Sequence, residues 1–361
     1  MRVTFLLPGY PWGPVGGFRV VYQHANELVA RGHRVTVLHA RRLRTLETPG
    51  AAWSERVRGR LRRARDTVLR PSLWWQTVDP RVELRFIGEP VGAAVPDADV
   101  VFATAWQTAT YVRDLPERKG RKHYLVQDFA PWLGSEEEIH ETWRWPLRKV
   151  TVSSWLLEQV RTAGATDVVN IPNGIDRPSL GLRTPIAGRP KLVAMMYSRA
   201  PYKGIEDGIE ALVRAKRAVP ELEAVVFGAP RRPAGLPGWV RYERNLPDAA
   251  LAELYNTAGV FLCSSTAEGF ALPPAEAMAC GAAVVTTDCG GNREYAEDGV
   301  TALVSPPGDP AALARNLVRV LEDENLRAAL ARQGHDRILR FTWARSGARL
   351  EEVLLAAAAH G

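Results

Sequence analysis

Residues 260–280 read VFLCSSTAEGFALPPAEAMAC, and the architecture of the chain can be worked out from this stretch. It opens with the apolar run Val260–Leu262, which predicts a strand buried inside a parallel sheet. A loop follows, and Pro274–Ala279 then has the composition of a helix. Strand, loop and helix in this order are typical of an α/β sheet whose parallel strands are joined by helices.

The loop between this strand and this helix carries two carboxylates, Glu268 and Glu276, eight positions apart. The backbone N–H groups of residues 270–272 have no predicted partner, and amides at a helix N-terminus favour an anion, above all a phosphate. Carboxylates accept hydrogen bonds from sugar hydroxyls. The loop therefore indicates a site for a phosphorylated, hydroxyl-rich ligand, unless Glu268 caps a turn and Glu276 is an ordinary first-turn glutamate.

The same alternation of strands and helices runs along the chain in two sets. In the first set we predict a loop over 8–17, a helix over Val20–Ala30, and strands at Val3–Leu7, Val35–Leu38, Val82–Ile87, Val100–Ala103 and His123–Val126. In the second set, which begins near Val168, we predict strands at Val168–Ile171, Lys191–Met196, Glu223–Phe227, Val260–Leu262, Ala283–Thr286 and Thr301–Val304. Helices of that set fit Ile205–Ala218, Asp248–Ala258, Pro274–Ala279 and Pro310–Glu322.

Proline and glycine cluster between Pro172 and Pro190, which marks a connection between domains. We therefore predict two doubly wound α/β domains, residues 1–170 and residues 171–342. Ligands of such sheets bind at the carboxyl ends of the strands, so two facing domains would form a binding cleft.

Composition supports two globular domains and excludes other classes. The chain has 361 residues, 46% of them hydrophobic and 24% charged, which is ordinary globular usage. Three cysteines without CxxC spacing are too few for a disulfide framework, so we expect a reducing, cytoplasmic environment. The apolar run at the N-terminus is too short for a signal peptide, and no run approaches the ~20 residues of a spanning helix.

The net charge of +7 lies entirely in the first half of the chain. Residues 1–170 hold 25 Lys and Arg against 18 Asp and Glu, whereas residues 171–361 hold 22 of each. Ten of the arginines fall between Arg41 and Arg70, around apolar residues at helical spacing: Trp53, Val57, Leu61, Ala64 and Val68. Segment 53–70 is either a solvated helix packed on its own domain or a docking face for anionic membrane lipid or another acidic acceptor. Nucleic acid is not expected as a partner, because no nucleic-acid motif is present.

The chain resembles glycosyltransferase family 4 over nearly its whole length, most strongly in the second half. The resemblance is carried by Glu268 and Glu276 with seven residues between them, by Ala277–Gly281, Gly290–Glu294, Ile171–Asp176 and Ser198–Gly204, and in the first half by Gly16-Gly17. It implies the GT-B fold, a nucleoside-diphosphate sugar as donor, transfer with retention of anomeric configuration, and neither a metal nor another cofactor. It also implies an acceptor-binding first domain, a donor-binding second domain, and a C-terminal helix from Trp343 that crosses back to the first domain within 343–361.

The resemblance implies a role for each matched residue. Arg199 and Lys203 would grip the donor diphosphate and stabilise the charge that grows on the leaving group. Glu268 would orient the donor sugar, and Glu276 would hold the ribose hydroxyls. The remaining donor-binding candidates are Gly16 and Gly17 at the phosphate, Asn245 and Leu246 at the base, and Gly269, Phe270, Ala271 and Leu272 at the sugar and phosphate.

One position departs from the family pattern. Many members carry a histidine after a first-domain strand, and here Gln127 holds that place, followed by Asp128. Glutamine cannot accept a proton. Asp128 can accept the proton of the acceptor hydroxyl or bind a sugar hydroxyl, or it is a turn residue, in which case the leaving phosphate takes the proton. The Gln-Asp pair resembles bacterial rhamnosyltransferases, which suggests a deoxythymidine-diphosphate deoxysugar such as dTDP-rhamnose as donor.

The resulting hypothesis is a retaining, metal-independent transferase of hexosyl or deoxyhexosyl residues to a hydroxyl of a glycan, lipid-linked or natural-product acceptor. We expect acceptor recognition in the loops 43–75 and 130–148. The alternatives are a nucleotide-sugar epimerase or phosphorylase on a similar fold, and a non-catalytic nucleotide-sugar binder. Asp97-Ala98-Asp99 resembles a metal-binding DxD sequence but directly precedes a strand, so we interpret it as a turn. Trp143 and Trp145 are interpreted as core residues rather than sugar-stacking ones.

Overall fold

The computed structural model describes residues 1–10, 12–43, 73–129 and 135–359. The arginine-rich segment 53–70, most of the predicted acceptor loop 43–75 and residues 130–134 lie outside this part of the chain. The hypothesis of a lipid-docking helix therefore stays a prediction.

The chain divides into two compact units. The first comprises the described residues of Met1–Val152, Leu156–Ile171 and Trp343–Gly361, and the second comprises Ser153–Trp155 and Pro172–Thr342. The division after Ile171 lies within one residue of the boundary expected from the sequence, whereas Ser153–Trp155 lies with the second unit.

The first unit contains one parallel sheet of seven strands in the order β3-β2-β1-β4-β5-β6-β7. The strands are β1 (Arg2–Pro8), β2 (Arg34–Ala40), β3 (Glu83–Ile87), β4 (Val100–Ala103), β5 (Arg121–Val126), β6 (Arg148–Thr151) and β7 (Val168–Asn170). Sequence analysis missed β6, and it assigned β7 to the second set of strands, which is wrong. This three-residue strand pairs in parallel with β6, with Lys149 opposite Val168, and so forms the edge of the first sheet.

Helices α1 (Gly16–Ala30), α2 (Trp106–Asp114), α3 (Glu136–Arg144) and α4 (Ser154–Thr162) follow strands of this sheet. Helix α1 begins at Gly16, four residues before the predicted start, so the glycine pair forms the first helical turn and not a loop. Apolar periodicity could not show this, because glycine is a poor helix former.

One smaller prediction about the first unit is confirmed, and another holds for one of its two residues. Asp99 accepts a hydrogen bond from the backbone N–H of Arg2 at 2.7 Å, and Asp97 pairs with Lys119 at 2.8 Å, so the DxD sequence is a turn at the entrance to β4. Trp143 is fully buried in the core. Trp145 is half-buried, and the Arg113 guanidinium lies 4.1 Å from its ring centroid.

The second unit contains a parallel sheet of six strands in the order β10-β9-β8-β11-β12-β13. The strands are β8 (Leu192–Tyr197), β9 (Glu223–Gly228), β10 (Arg241–Arg244), β11 (Val260–Cys263), β12 (Ala283–Thr287) and β13 (Leu303–Ser305). The helices are α5 (Ile205–Ala218), α6 (Asp248–Thr257), α7 (Leu272–Ala279), α8 (Pro310–Glu322) and α9 (Glu324–Ile338). Sequence analysis missed β10 and α9.

The core of the second unit forms because β8, β11 and β12 are apolar on both faces. Val193, Leu262 and Val285 are fully buried beneath Leu212 of α5 and Leu317 of α8. Burying side chains of this size stabilises a fold by about 1.5–3 kcal/mol each. The strands that carry the candidate site are therefore anchored in the core of this unit.

The final helix, α10 (Trp343–Ala359), packs on α1 within the first unit. A Cβ added at Gly347 would lie 2.5 Å from the Cβ of Glu27, so the close approach of the two helices depends on this glycine. His33 Nε2 lies 2.8 Å from the Glu351 carboxylate at the same contact. No helix in the described part of the chain is long and apolar enough to cross a membrane.

Candidate active site

The predicted donor residues follow neighbouring strands of the second sheet. Strands β8, β11 and β12 are adjacent and parallel, so their carboxyl ends lie along one edge. The loop after β8 carries Arg199 and Lys203, and the loop after β11 carries Glu268. This topology brings together groups that lie 65 residues apart in the sequence.

Lys203 and Glu268 form a buried ion pair at this edge. Lys203 Nζ donates to Glu268 Oε1 at 2.5 Å, and each side chain is only 12% exposed. Ser265 Oγ donates to the same oxygen at 2.7 Å. Burial by itself lowers the pKa of Lys203, but the Glu268 charge and hydrogen bond outweigh it and raise that pKa. The lysine is therefore held as a cation, which is the state that a diphosphate needs.

The end of β11 fixes the loop that carries Lys203. Ser264 Oγ donates to the backbone oxygen of Lys203 at 3.0 Å, and the Thr266 N–H donates to the backbone oxygen of Tyr202 at 2.7 Å. Gly204 follows with φ +54°, and a Cβ there would lie 2.1 Å from the backbone oxygen of Ser264. Only glycine fits both conditions, so the backbone holds Lys203 in place.

The loop from Glu268 to α7 is held by the segment after β12. The Glu268 N–H donates to the backbone oxygen of Cys289 at 2.8 Å, and the Gly291 N–H donates to that of Glu268 at 3.0 Å. Ala271 has φ +62° at the N-terminus of α7, and Tyr295 Oη donates to its carbonyl oxygen at 2.5 Å. Residues 269–271 are buried, and Leu272 is half-buried where α7 begins.

Glu276 lies in α7 and pairs with Arg177, a residue that sequence analysis missed. Arg177 lies 2.9 Å from Glu276 Oε1 and 2.8 Å from Asp248 Oδ2, and its side chain is 5% exposed. Burial lowers the pKa of Arg177, but the two carboxylates outweigh it and raise that pKa. Tyr255 Oη donates to Glu276 Oε2 at 3.4 Å. Arg177 directly follows the motif Ile171–Asp176, and this position next to a family motif is the sequence signal that could have identified it.

Arg199 takes no part in the ion pairs recorded among the described residues. Its side chain is exposed, and its charge acts on Tyr242, where it opposes the rise in pKa that burial causes. Asn245 and Leu246, the predicted base contacts, follow β10. Asn245 is exposed with φ +53°, its N–H donates to the backbone oxygen of Gly228 at 3.0 Å, and Leu246 is half-buried.

Two of the candidate residues of the first unit, Gly17 and Gln127, lie close together. A Cβ at Gly17 would lie 3.4 Å from Gln127 Oε1, so the first turn of α1 and the end of β5 are in contact. Gln127 Nε2 donates to the Thr104 carbonyl at 3.3 Å. Gly16 and Asp128 are exposed. Burial, with a smaller effect from the Asp128 charge, raises the pKa of Tyr124.

No group of three or more His, Cys, Asp and Glu side chains that could hold a metal ion occurs within 1–10, 12–43, 73–129 and 135–359. The chemistry offered by the described site is that of a buried cation, two carboxylates and the N-terminus of a helix.

Comparison with known families accounts for this arrangement. Residues 183–337, which hold Lys203, Glu268 and Glu276, match the family model "Glycosyl transferases group 1". The chain carries a glycosyltransferase group 1 domain. The resemblance predicted from the sequence is thereby confirmed for this domain.

Curated proteins similar to the chain include a mannosyltransferase and a protein of O-antigen biosynthesis. The phosphatidyl-myo-inositol mannosyltransferase of Mycolicibacterium smegmatis is 30% identical over 217 residues, 57% of this chain and 56% of that protein. The O-antigen biosynthesis protein RfbC of Myxococcus xanthus is 30% identical over 277 residues, 74% of this chain and 22% of that protein. The chain thus spans about half or less of the length of these relatives.

Solved structures confirm the GT-B class of fold around the glycosyltransferase domain. The Anabaena protein Alr3699/HepE, in complex with UDP and glucose, has a TM-score of 0.74 and 17% identity, covering 99% of this chain and 100% of that one. The sucrose-phosphate synthase of Thermosynechococcus elongatus also has a TM-score of 0.74 and 17% identity, and each chain is covered completely.

Proposed function

We propose that the chain is a retaining glycosyltransferase that transfers a hexosyl or deoxyhexosyl residue from a nucleoside-diphosphate sugar to a hydroxyl group, without a metal ion. The observation that carries this proposal is the buried ion pair of Lys203 and Glu268 inside a glycosyltransferase domain. It supplies a fixed cation for a diphosphate directly beside a carboxylate for a sugar.

Lys203 serves the leaving group. An ammonium has three N–H donors, and Glu268 Oε1 uses one of them at 2.5 Å. The remaining donors and the positive charge stabilise the charge that grows on the nucleoside diphosphate as the glycosidic bond breaks. Arg199, exposed on the same loop, supplies a second cation to the bound diphosphate.

Glu268 serves the sugar. Its Oε1 already accepts hydrogen bonds from Lys203 and Ser265, whereas Oε2 accepts none of those recorded in the described part of the chain. We assign Oε2 to hydroxyl groups of the donor sugar. The backbone amides of residues 269–272, at the N-terminus of α7, provide the donors nearest in sequence for the adjoining phosphate.

The other site residues bind the remaining parts of the donor and the acceptor. Glu276, held by Arg177, accepts hydrogen bonds from the ribose, and Asn245 and Leu246 contact the base. In the first unit, Gly16 and Gly17 offer the amides of a helix N-terminus to phosphate. Gln127 and Asp128 bind the acceptor there. The acceptor oxygen forms the new bond to the anomeric carbon, the bond to the diphosphate breaks, and the proton passes to the departing phosphate oxygen.

The donor and acceptor classes are proposed from the relatives. Their names describe mannosyl transfer to phosphatidyl-myo-inositol and O-antigen biosynthesis, and one structural neighbour holds UDP and glucose. We therefore propose a hexose or deoxyhexose donor, with GDP-mannose, UDP-glucose and dTDP-rhamnose as the panel, and a lipid-linked or glycan hydroxyl as acceptor. Segment 53–70 is proposed to contact anionic membrane lipid, which sedimentation with anionic liposomes at low and high salt tests.

The test is release of nucleoside diphosphate from this panel with and without acceptors, in the presence of EDTA. We expect Lys203→Met and Glu268→Gln each to lower transfer by about 100-fold or more. Lys191→Met and Glu221→Gln are the matched controls, because they break an exposed lysine–glutamate pair of the same 2.5 Å separation and should leave transfer unchanged.

Three results would contradict the proposal. If Lys203→Met keeps full transfer activity, Lys203 does not take part in transfer and the central residue of the proposal is lost. An epimerised sugar formed from the donor alone identifies an epimerase. Tight binding of donor with no turnover across the acceptor panel identifies a binding protein. Loss of transfer in EDTA, restored by a divalent cation, would contradict the metal-independent part alone.

A further inference from the structure

Three consecutive hydroxyl residues follow β11, and they serve two different neighbours. Ser264 Oγ donates to the backbone oxygen of Lys203 at 3.0 Å, and Thr266 Oγ1 donates to that of Tyr202 at 3.2 Å. Ser265 Oγ donates instead to the Glu268 carboxylate at 2.7 Å. Ser264 and Thr266 therefore fix a backbone segment, whereas Ser265 acts on a functional side chain.

The Ser265 hydroxyl is itself fixed in position. The residue is 3% exposed, and its backbone oxygen accepts a hydrogen bond from Thr287 Oγ1 of β12. The Cys263 thiol, 3.7 Å away, donates to Ser265 Oγ, which directs the serine proton towards Glu268. A serine hydroxyl is placed by a single side-chain torsion, so burial of the residue leaves the hydroxyl little freedom to move away from Glu268.

Lys203 alone would not fix Glu268 in the same way. Its ammonium is a compact charge whose three N–H donors rotate, so this ion pair by itself does not set the orientation of the carboxylate plane. With Ser265 as a second donor to Oε1, the carboxylate is held from two directions, and its rotation is restricted. Ser265, Lys203 and Glu268 line one small cavity with Pro273 and Pro274 at the start of α7. Oε2 is then the oxygen left to meet a ligand.

We propose that Ser265 is a positioning residue that orients the Glu268 carboxylate for the donor sugar, an inference that rests on the proposed function. It touches no reacting atom. Its hydroxyl occupies Oε1 so that Oε2 is presented to the sugar hydroxyls. Its removal therefore weakens recognition of the sugar and leaves recognition of the nucleoside diphosphate unchanged.

The experiment measures dissociation constants for a sugar nucleotide and for its own nucleoside diphosphate. The pair used is whichever of GDP-mannose with GDP, UDP-glucose with UDP, or dTDP-rhamnose with dTDP gives the wild-type protein the largest thermal stabilisation. Ser265→Ala removes the hydroxyl. Ser305→Ala is the matched control, because it also removes a buried strand-end hydroxyl, one that accepts from Asn316 at 3.0 Å in the same unit.

We expect Ser265→Ala to weaken binding of the sugar nucleotide and lower its transfer rate by about 10-fold, as for a lost hydrogen bond to a charged group. Diphosphate affinity should match wild type. In a Glu268→Gln background, the same change should have little further effect, because the oriented carboxylate is already gone. Ser305→Ala should change neither constant.

The outcomes separate the two proposals. If no sugar nucleotide and no diphosphate binds the wild-type protein, the proposed function fails and this inference with it. If the wild type binds and transfers but Ser265→Ala behaves like Ser305→Ala, only the positioning role is overturned. Equal loss of sugar-nucleotide and diphosphate affinity, or full additivity with Glu268→Gln, also overturns it, because each points to a general structural effect.

Discussion

The two units bury their polar groups in different ways. The second unit buries charges in pairs: Lys203 with Glu268, and Arg177 with Glu276 and Asp248. The first unit also holds a buried lysine, Lys119, beside the half-exposed Asp97, but it differs in burying three imidazoles. Burial lowers the pKa of His24, His39 and His123 to about 4 each. Paired charges held in advance would suit the anionic donor proposed for the second unit, whereas neutral imidazoles serve packing. The difference supports donor chemistry in the second unit.

The largest expected effect of this difference is that acid destabilises the first unit before the second. Each of the three histidines has a folded-state pKa of about 4, below its ordinary value of 6.5. The unfolded chain then binds more protons between these values, so stability is full above pH 6.5 and is lost as the pH falls towards 4. Each histidine contributes up to about 3 kcal/mol to that loss.

Hydrogen exchange at pH 7 and pH 5, corrected for intrinsic rates, tests this expectation. Amides of β1, β2 and β5 should lose protection before those of β8, β11 and β12. His24→Phe should make the loss less steep, because both ring nitrogens of His24 are buried without a hydrogen-bond partner in the described part of the chain. If the amides of both units lose protection at the same pH, the proposed difference in acid stability between the units is wrong.

The next effect concerns the buried cation of the second unit. Arg177→Met would remove the buried cation that Glu276 and Asp248 share and should destabilise this unit by about 3–5 kcal/mol. Arg214→Met, which breaks the exposed pair with Glu210 in α5, should cost less than about 1 kcal/mol. Urea unfolding of both variants measures the two changes.

Adding Glu276→Gln and Asp248→Asn to Arg177→Met should restore part of the lost stability, since the two side chains that faced the cation are then neutral. If Arg177→Met proves as mild as Arg214→Met, the second unit does not depend on its buried pairs, and the contrast drawn between the units is wrong.

Glycines give a third, smaller contrast. Gly204→Ala should cost about 2 kcal/mol or more, because φ is +54° and the new Cβ would lie 2.1 Å from a backbone oxygen. Gly17→Ala should instead stabilise the first unit by about 0.5–1 kcal/mol, because the Cβ meets Gln127 at an ordinary 3.4 Å inside a helical turn.

Thermal unfolding measures the expected loss of stability in Gly204→Ala and the expected gain in Gly17→Ala. Transfer assays then test the role proposed for Gly17. If phosphate approaches that turn, Gly17→Ala should lower transfer while raising stability. A Gly17→Ala protein with unchanged transfer would leave the glycine a purely structural part of α1.

How much the sequence predicts also differs between the two units. In the second, the helix Ile205–Ala218 and the strand start at Val260 follow directly from apolar runs and periodicity. The sequence also put Lys203 and Glu268 in loops that follow strands, but their contact depends on the strand order, in which β8 and β11 are neighbours. In the first unit, β6 was missed because its four residues, Arg148–Thr151, contain two cations and read as exposed chain.

Pairings between side chains were less predictable than elements. Nothing local shows that Arg177 reaches Glu276, because 99 residues and several strands separate them and only the assembled sheet brings them together. Arg199 shows the converse. It lies in the same loop as Lys203 and fits the family pattern, yet its exposed side chain joins none of the ion pairs recorded among the described residues. Sequence spacing fixes which loop a residue lies on but not which way its side chain turns.

The smallest expected effect tests backbone strain beside the site. Ala271 and Asn245 are the non-glycine residues with positive φ in the described part of the chain, and both lie in the second unit. A non-glycine residue in this region costs about 1–2 kcal/mol. Ala271→Gly removes that strain but loses a buried methyl group and adds backbone freedom to the unfolded chain, so the net change in stability should be close to zero. Ala277→Gly, in the interior of α7, loses the same methyl and relieves nothing. Its melting temperature should fall below that of Ala271→Gly by a few degrees. Equal melting temperatures for the two variants would show that Ala271 carries no strain, and the site loop would then be no more constrained than the loops of the first unit.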